Sequence, residues 1–187
     1  MTSIPAGTFT MGGATGPANE RPAHAVSVAA FCLDTTEVTV AAYRACAATG
    51  RCSSPAPERW IGPGSWEGAP SPACTWGAAA HDDHPLNCVS FTFAQTYCEA
   101  MGKRLPTEAE WEKAARGTDG RTFPWGETYP TLRMATFGHD EHTGHPDPVG
   151  SHPGFPSPSG ALDLAGNSRR AGFSFPLVWL LSGLRRI

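Results

Sequence analysis

Apolar positions alternate with small or polar ones along residues 4–11 and again along 25–33, the two-residue period of half-buried strands, and a glycine- and proline-rich stretch joins them. The period then lengthens to that of a helix. Residues 39–48 fit a helix with Thr39 as cap, Val40 and Tyr43 on one face and Gly50 as stop. Residues 92–101 fit a second, in which Thr92 and Gln95 form a capping box, Phe93, Tyr97 and Met101 make the buried ridge, and Gly102 closes the last turn. The strongest pattern lies over residues 107–116. Thr107 and Glu110 have capping-box spacing, and Glu108, Glu110 and Glu112 crowd the positive end of the helix dipole. Trp111, Ala114 and Ala115 supply an apolar stripe with Trp111 as core anchor, and Gly117 supplies a left-handed stop. Capping and dipole account for all three carboxylates, so acid–base chemistry is not assigned to them.

Elsewhere regular periodicity is lost. Residues 52–84 read as a long ordered loop tied down by Trp60, Trp66 and Trp76, turns dominate residues 117–166, and no internal repeat is present. Two or three helices on a small, mostly antiparallel sheet make an α+β domain. Loops this long persist in a compact domain when they are functional or clamped; disulfides, tryptophans and bound cations are the available clamps.

A chain of 187 residues suits one domain with a real core. A net charge of −3 with no basic block gives a nucleic-acid role no electrostatic support. The apolar stretch 173–181 is far short of the ~20 residues of a membrane span and contains Pro176. Met1 runs directly into the first strand without a basic or apolar leader, so no signal peptide is expected. The cysteines point the other way. Cys46 and Cys52 flank a turn-prone segment and Cys74 and Cys88 enclose a polar loop, two plausible disulfides that favour a periplasmic or extracellular location. The alternative is a set of reduced, buried thiols in a cytoplasmic protein.

Histidines concentrate in two places: HDDH at residues 81–84, and GHDEHTGHPD at residues 138–147, with His139, His142 and His145 among Asp140, Glu141 and Asp147. These are zinc or copper ligand types. Gly144 and Pro146 oppose the helix that would make the three histidines converge, and a solvated polar loop is the preferred reading of both segments. Lys103 and Arg104 are expected to hydrogen-bond loop carbonyls near the core.

Five segments occur in order along the chain: IPAGTFTMGG (4–13), FCLDTTEVTVAAYRAC (31–46), HPLNCVSFTFAQTYC (84–98), AMGKRLPTEAEWEKAARGTDGRTFPWG (100–126) and SGALDLAGN (159–167). Together they resemble the formylglycine-generating enzyme (sulfatase-modifying factor) family, over residues 4–167. The resemblance implies a fold distantly related to the C-type lectins and an oxidase that converts a sulfatase cysteine to formylglycine, with a sulfatase or another protein as partner. It also implies copper held by a pair of thiolates near the C-terminus, a soft donor set matched to Cu(I). In the family, GN is followed by a W-E-W run, an arginine- and glycine-rich strand and that cysteine pair. Here Asn167 is followed by SRRAGFSFPLVWLLSGLRRI, which contains no cysteine. Residues 1–167 are therefore expected to be an incomplete family domain. Residues 168–187 are expected to be an aberrant, poorly packed tail left by frameshift or truncation.

No catalytic residue is assigned, and the chain is expected to be inactive. By the same resemblance Cys98 is directed to a C-terminal partner that this sequence does not contain. Structural calcium, bound by hard oxygen donors, is also implied. Asn167 matches one ligand, although the glutamate of the W-E-W run is replaced; a second site around residues 135–147 has Thr136 where asparagine is usual, leaving Asp140, Glu141 and Asp147 as donors. The competing reading is a non-catalytic C-type-lectin-like module that binds a protein or ligand. Iron-dependent sulfoxide synthase chemistry is a third, and requires a histidine-rich helical domain not found in these residues.

Overall fold

The computed structural model describes residues 1–15, 18–55, 74–78, 80–137, 145–167 and 184–186. Each of the two expected strands divides. β1 (Thr2–Ile4) and β2 (Gly7–Met11) run outward, and β3 (His24–Val28) and β4 (Phe31–Leu33) return. β2 pairs with β3 from Gly7↔Val28 to Met11↔His24, and β1 pairs with β4 from Ile4↔Phe31 to Thr2↔Leu33, both antiparallel. One long hairpin is thus split between two sheets. The split falls at Pro5, which has no N–H to give to a ladder. The interrupted strand still has its acceptors satisfied, because Lys113 Nζ donates to the carbonyls of Pro5 and Gly7 at 2.7 and 2.9 Å. Burial lowers the pKa of that ammonium.

Lys113 belongs to the helix with the full capping box. α1 spans Val40–Ala48, α2 Phe91–Ala100 and α3 Glu108–Arg116. Thr39 caps α1 as its position predicts, accepting the Ala42 N–H at 3.1 Å. In α2 the cap is Ser90 rather than Thr92, and the buried face is Ala94, Tyr97 and Cys98, with Phe93 and Met101 only partly covered. α3 has the full capping box: Thr107 Oγ1 accepts the Glu110 N–H at 3.2 Å, and Glu110 Oε2 accepts the Thr107 N–H at 2.8 Å. Arg104 donates to the same carboxylate at 2.7 Å, as well as to the Leu105 carbonyl. Burial pushes the Glu110 carboxyl up, but the hydrogen bonds from Arg104 and Thr107 outweigh it and hold the pKa below the usual range. Lys103 does not seek a carbonyl; its ammonium pairs with both oxygens of Asp34 at 2.7 Å. Gly117 ends α3 at φ 67°, where a Cβ would press on the Pro158 ring at 3.0 Å.

Two cores result. Ala114 and Ala115 of α3 close on Ile4, Phe9, Val28, Phe31 and Leu33 of the hairpin, with Ala161 and Leu164 from the C-terminal loops. Trp111 packs against the edge of this core and is half-buried, so the two alanines, rather than the indole, sit deepest. The second core joins α1 to α2, where Tyr43 stacks on Tyr97 at 5.3 Å and receives the edge of Trp76 at 5.7 Å. Disulfides Cys46–Cys52 and Cys74–Cys88 tie the adjoining loop to this core. Cys32 and Cys98 remain as thiols. Trp60 and Trp66, expected as further clamps, lie outside the described residues. Among the described residues no helix is long and apolar enough to cross a membrane.

Of the 168–187 segment, three residues are described. Leu184–Arg186 forms β5, antiparallel to β4 with Phe31↔Arg186 and Leu33↔Leu184, in a sheet of order β1-β4-β5. The outer edge of β4 offers backbone donors and acceptors that an extended segment can satisfy whatever its side chains.

Burial and capping set a ranking. Thr107→Ala should cost about 1 kcal/mol through the lost cap, and Trp111→Ala about 3 kcal/mol through lost packing. Denaturant melts in which the cap substitution proves the costlier would contradict this order.

Candidate functional site

Asn167, expected as a metal ligand, sits where four distant segments meet. It adopts φ 68°, and the preceding Gly166 has φ 101°. A Cβ on Gly166 would lie 2.3 Å from the Thr136 carbonyl oxygen, so only glycine lets the two backbones approach. The Asn167 N–H donates to that same carbonyl at 2.8 Å. Its side-chain oxygen accepts the Asp147 N–H at 2.8 Å, and its amide nitrogen donates to Glu37 Oε2 at 3.3 Å.

Around this amide lies a set of oxygen donors. The Thr136 hydroxyl donates to the Asp147 carboxylate and lies 3.0 Å from His152 Nε2, while His152 Nδ1 donates to the Arg133 carbonyl at 3.1 Å. Asp163, at φ 55°, accepts the Gly150 N–H at 2.6 Å. Glu37 is 6% exposed, and its Oε1 has no donor among the described residues unless a carboxyl proton bridges it to Asp163. Burial, then the neighbouring Asp163 carboxylate, raises the Glu37 pKa well above the ordinary value; burial likewise raises Asp163. A cavity of about 10 Å³, lined by Trp125, Thr136, His152, Phe155, Asp163 and Asn167, adjoins the knot. It is the size of a single water or ion.

Of the expected calcium ligands, Asp147 and Asn167 are therefore brought together, and Asp140 and Glu141 lie outside the described residues. The carboxylates of Glu37, Asp147 and Asp163 are oxygen donors of the kind a hard cation takes, and Glu37 Oε1 accepts no hydrogen bond among the described residues. Several of those oxygens already accept hydrogen bonds, and no three His, Cys, Asp or Glu side chains among the described residues converge on one point. Sequence reasoning missed Glu37 and Asp163. Their signal was faint: Glu37 stands in the polar stretch DTTEVT and Asp163 in the apolar run ALDLA, and the two are more than a hundred residues apart.

The thiols do not fit copper. Burial, reinforced by Asp34, pushes the Cys98 thiol up to about 11, so it stays protonated at neutral pH. Four of the other cysteines are spent in disulfides.

A loop-rich α+β scaffold of three short helices on an antiparallel hairpin, closed by a buried polar knot, narrows the class of protein. A family model described as the sulfatase-modifying factor enzyme 1-like domain matches residues 1–170. The chain belongs to this family. A hercynine oxygenase of Mycolicibacterium smegmatis is 34% identical, aligned over 88% of this chain and 43% of that protein. A formylglycine-generating enzyme of Thermomonospora curvata is 32% identical, over 89% of this chain and 68% of its own length. The solved structure of PvdO from Pseudomonas aeruginosa superposes with a TM-score of 0.61 at 28% identity, covering 87% of this chain and 65% of that one. The chain spans less than half the length of the hercynine oxygenases it matches.

The buried carboxyl pair has a pH consequence. A carboxyl whose pKa is raised on folding binds its proton more tightly in the native state, so its contribution is complete below the unfolded value near 4.5 and is lost as pH rises toward the native one. Glu37→Gln should therefore remove a stability loss that the parent chain shows as pH climbs above about 4.5. Parallel slopes for variant and parent in chemical denaturation across that range would show that Glu37 does not carry this proton.

Proposed function

We propose that these residues form a formylglycine-generating-type domain that does not itself carry out cysteine oxidation. The observation behind this reading is the state of the thiols in these residues: Cys98 is buried with its pKa pushed up to about 11, and Cys46, Cys52, Cys74 and Cys88 are paired in disulfides. A reactive thiol needs accessible thiolate character. What remains is a folded platform with long loops, suited to binding a sulfatase or another protein chain. The same reading takes the sequence after Asn167 as foreign to the family. It places the protein in an oxidising compartment, where Cys46–Cys52 and Cys74–Cys88 would persist. Asp147 and Asn167, supported by Glu37, would hold a structural calcium ion through oxygen donors. Distant kinship with the C-type lectins accords with a recognition role.

The likeness to hercynine oxygenases favours a second reading, in which the domain is one part of a larger enzyme whose chemistry resides elsewhere. Relatives with different reactions share this scaffold, so the fold does not choose between them.

The test is incubation of the chain with copper, oxygen, a reductant and a peptide carrying a Cys-x-Pro-x-Arg motif, followed by mass spectrometry. The peptide cysteine should remain unconverted. Formation of the aldehyde would overturn the proposal. Peptide mapping without reduction should recover both disulfides, with Cys98 resisting alkylation until the protein is denatured.

A further inference from the structure

The two disulfides are not equivalent. Cys46 and Cys52, at the end of α1 and in the loop beyond it, are both buried. Cys74 is buried too, but its partner Cys88 is half-buried and adopts φ 55°, a left-handed backbone that strains any residue with a Cβ. The neighbours of Cys88 are held on both sides. The Thr75 N–H donates to Asn87 Oδ1 at 2.8 Å, and the Asn87 N–H donates to Thr75 Oγ1 at 3.3 Å. The Thr75 hydroxyl donates to the Pro85 carbonyl at 2.8 Å. Beyond Cys88, Ser90 caps α2. The bond to Cys74 closes this frame, and Trp76, two residues further on, lays its edge against Tyr43 at 5.7 Å. Residues 84–86 are fastened separately. The Val40 N–H donates to the His84 carbonyl at 3.0 Å, the Leu86 N–H donates to the Val38 carbonyl at 2.8 Å, and Thr39 bridges to Pro85.

We propose that Cys74–Cys88 is a redox catch: a dithiol reductant opens it ahead of Cys46–Cys52, and opening frees residues 74–76 from residues 87–90 while the domain stays folded. Two independent features carry this. Half-burial at Cys88 gives an attacking thiolate access from that side, whereas both partners of the other bond are covered. Backbone strain supplies the driving force, because Cys88 can leave the left-handed region once the bond is cut, and strained bridges are the more readily reduced. In the exchange, one thiolate of the dithiol bonds to the Cys88 sulfur and Cys74 leaves as a thiolate that takes up a proton. The second thiol of the reductant then displaces Cys88. Two cysteine thiols and one cyclic disulfide of the reductant result, a transfer of two electrons. The neutral hydrogen bonds between Thr75 and Asn87 contribute little net stability, but they realign the two cysteines when oxidant returns. Opening stays local because residues 84–86 are held to residues 38–40 by backbone bonds that the disulfide does not supply. Its consequence falls on the α1–α2 core, where Trp76 no longer covers Tyr43, a ring fully buried while the catch is closed. The inference rests on the fold and not on the compartment proposed above.

Oxidised chain is equilibrated in buffers of reduced and oxidised dithiothreitol at stepped ratios, quenched with acid, alkylated and mapped by mass spectrometry. Cys74 and Cys88 should reach half-reduction at a ratio at least about ten-fold lower than Cys46 and Cys52, with the far-ultraviolet circular dichroism unchanged at that point. In this singly reduced form the Thr75 and Asn87 amides should exchange hydrogen at least about ten-fold faster, whereas Val40 and Leu86 should exchange as in the oxidised chain. The double variant Cys74→Ser/Cys88→Ser should show the same pattern without reductant. Should that variant fail to fold when produced, the singly reduced parent, made from folded protein, carries the test alone. Earlier reduction of Cys46–Cys52, reduction of both bonds together, unfolding when Cys74–Cys88 opens, or unchanged exchange at Thr75 and Asn87 would each overturn the proposal.

Discussion

The amide of Asn167 is the interaction on which the rest of the architecture depends. The regular elements are three to ten residues long, too short for their ladders to hold the domain together. Most of the described residues lie outside these elements, and a buried loop carries backbone groups that must find partners. Asn167 supplies them in three directions: to Thr136 through its backbone, to Asp147 through its side-chain oxygen and to Glu37 through its amide nitrogen. Its left-handed backbone and the adjacent Gly166 are the conformational cost of reaching all three.

The same logic explains the buried cation. Pro5 breaks the hairpin where the strand must switch sheets, and the resulting carbonyls face α3 instead of a neighbouring strand. Lys113 reaches them from within the helix. Its chain fills apolar space while its ammonium takes the place of missing N–H donors. Thus α3 is attached by polar as well as apolar contacts. Its own start is fixed by Glu110, which serves the cap and Arg104 with one carboxylate.

Local chemistry was legible in the sequence and long-range chemistry was not. α3 could be read because Thr107, Glu110 and Gly117 each act on backbone within a turn of themselves. α1 was legible for the same reason. At α2, Ser90 and Thr92 are both good caps, and the choice fell to tertiary packing: starting at Phe91 leaves that ring 55% exposed but turns Ala94 and Cys98 fully inward. Both disulfides follow from short separations along the chain. Glu37 could not be read, since an isolated acid gains meaning only beside Asp163 and Asn167.

The long reach of the Asn167 knot also orders the folding of the chain in time. β2, β3 and α3 meet within the first 117 residues, and α1 and α2 lie between them, so these parts can begin to assemble while Ala161 and Leu164, which complete the same core, are still being synthesised. Glu37 and Asn167 are separated by 130 positions, a contact whose loop-closure entropy must be met before it returns anything. Until residues 163–167 arrive, Glu37 lacks both its Asn167 donor and its Asp163 neighbour. Closure of the knot is therefore a late event, and the nascent domain has a long interval in which a chaperone can engage it.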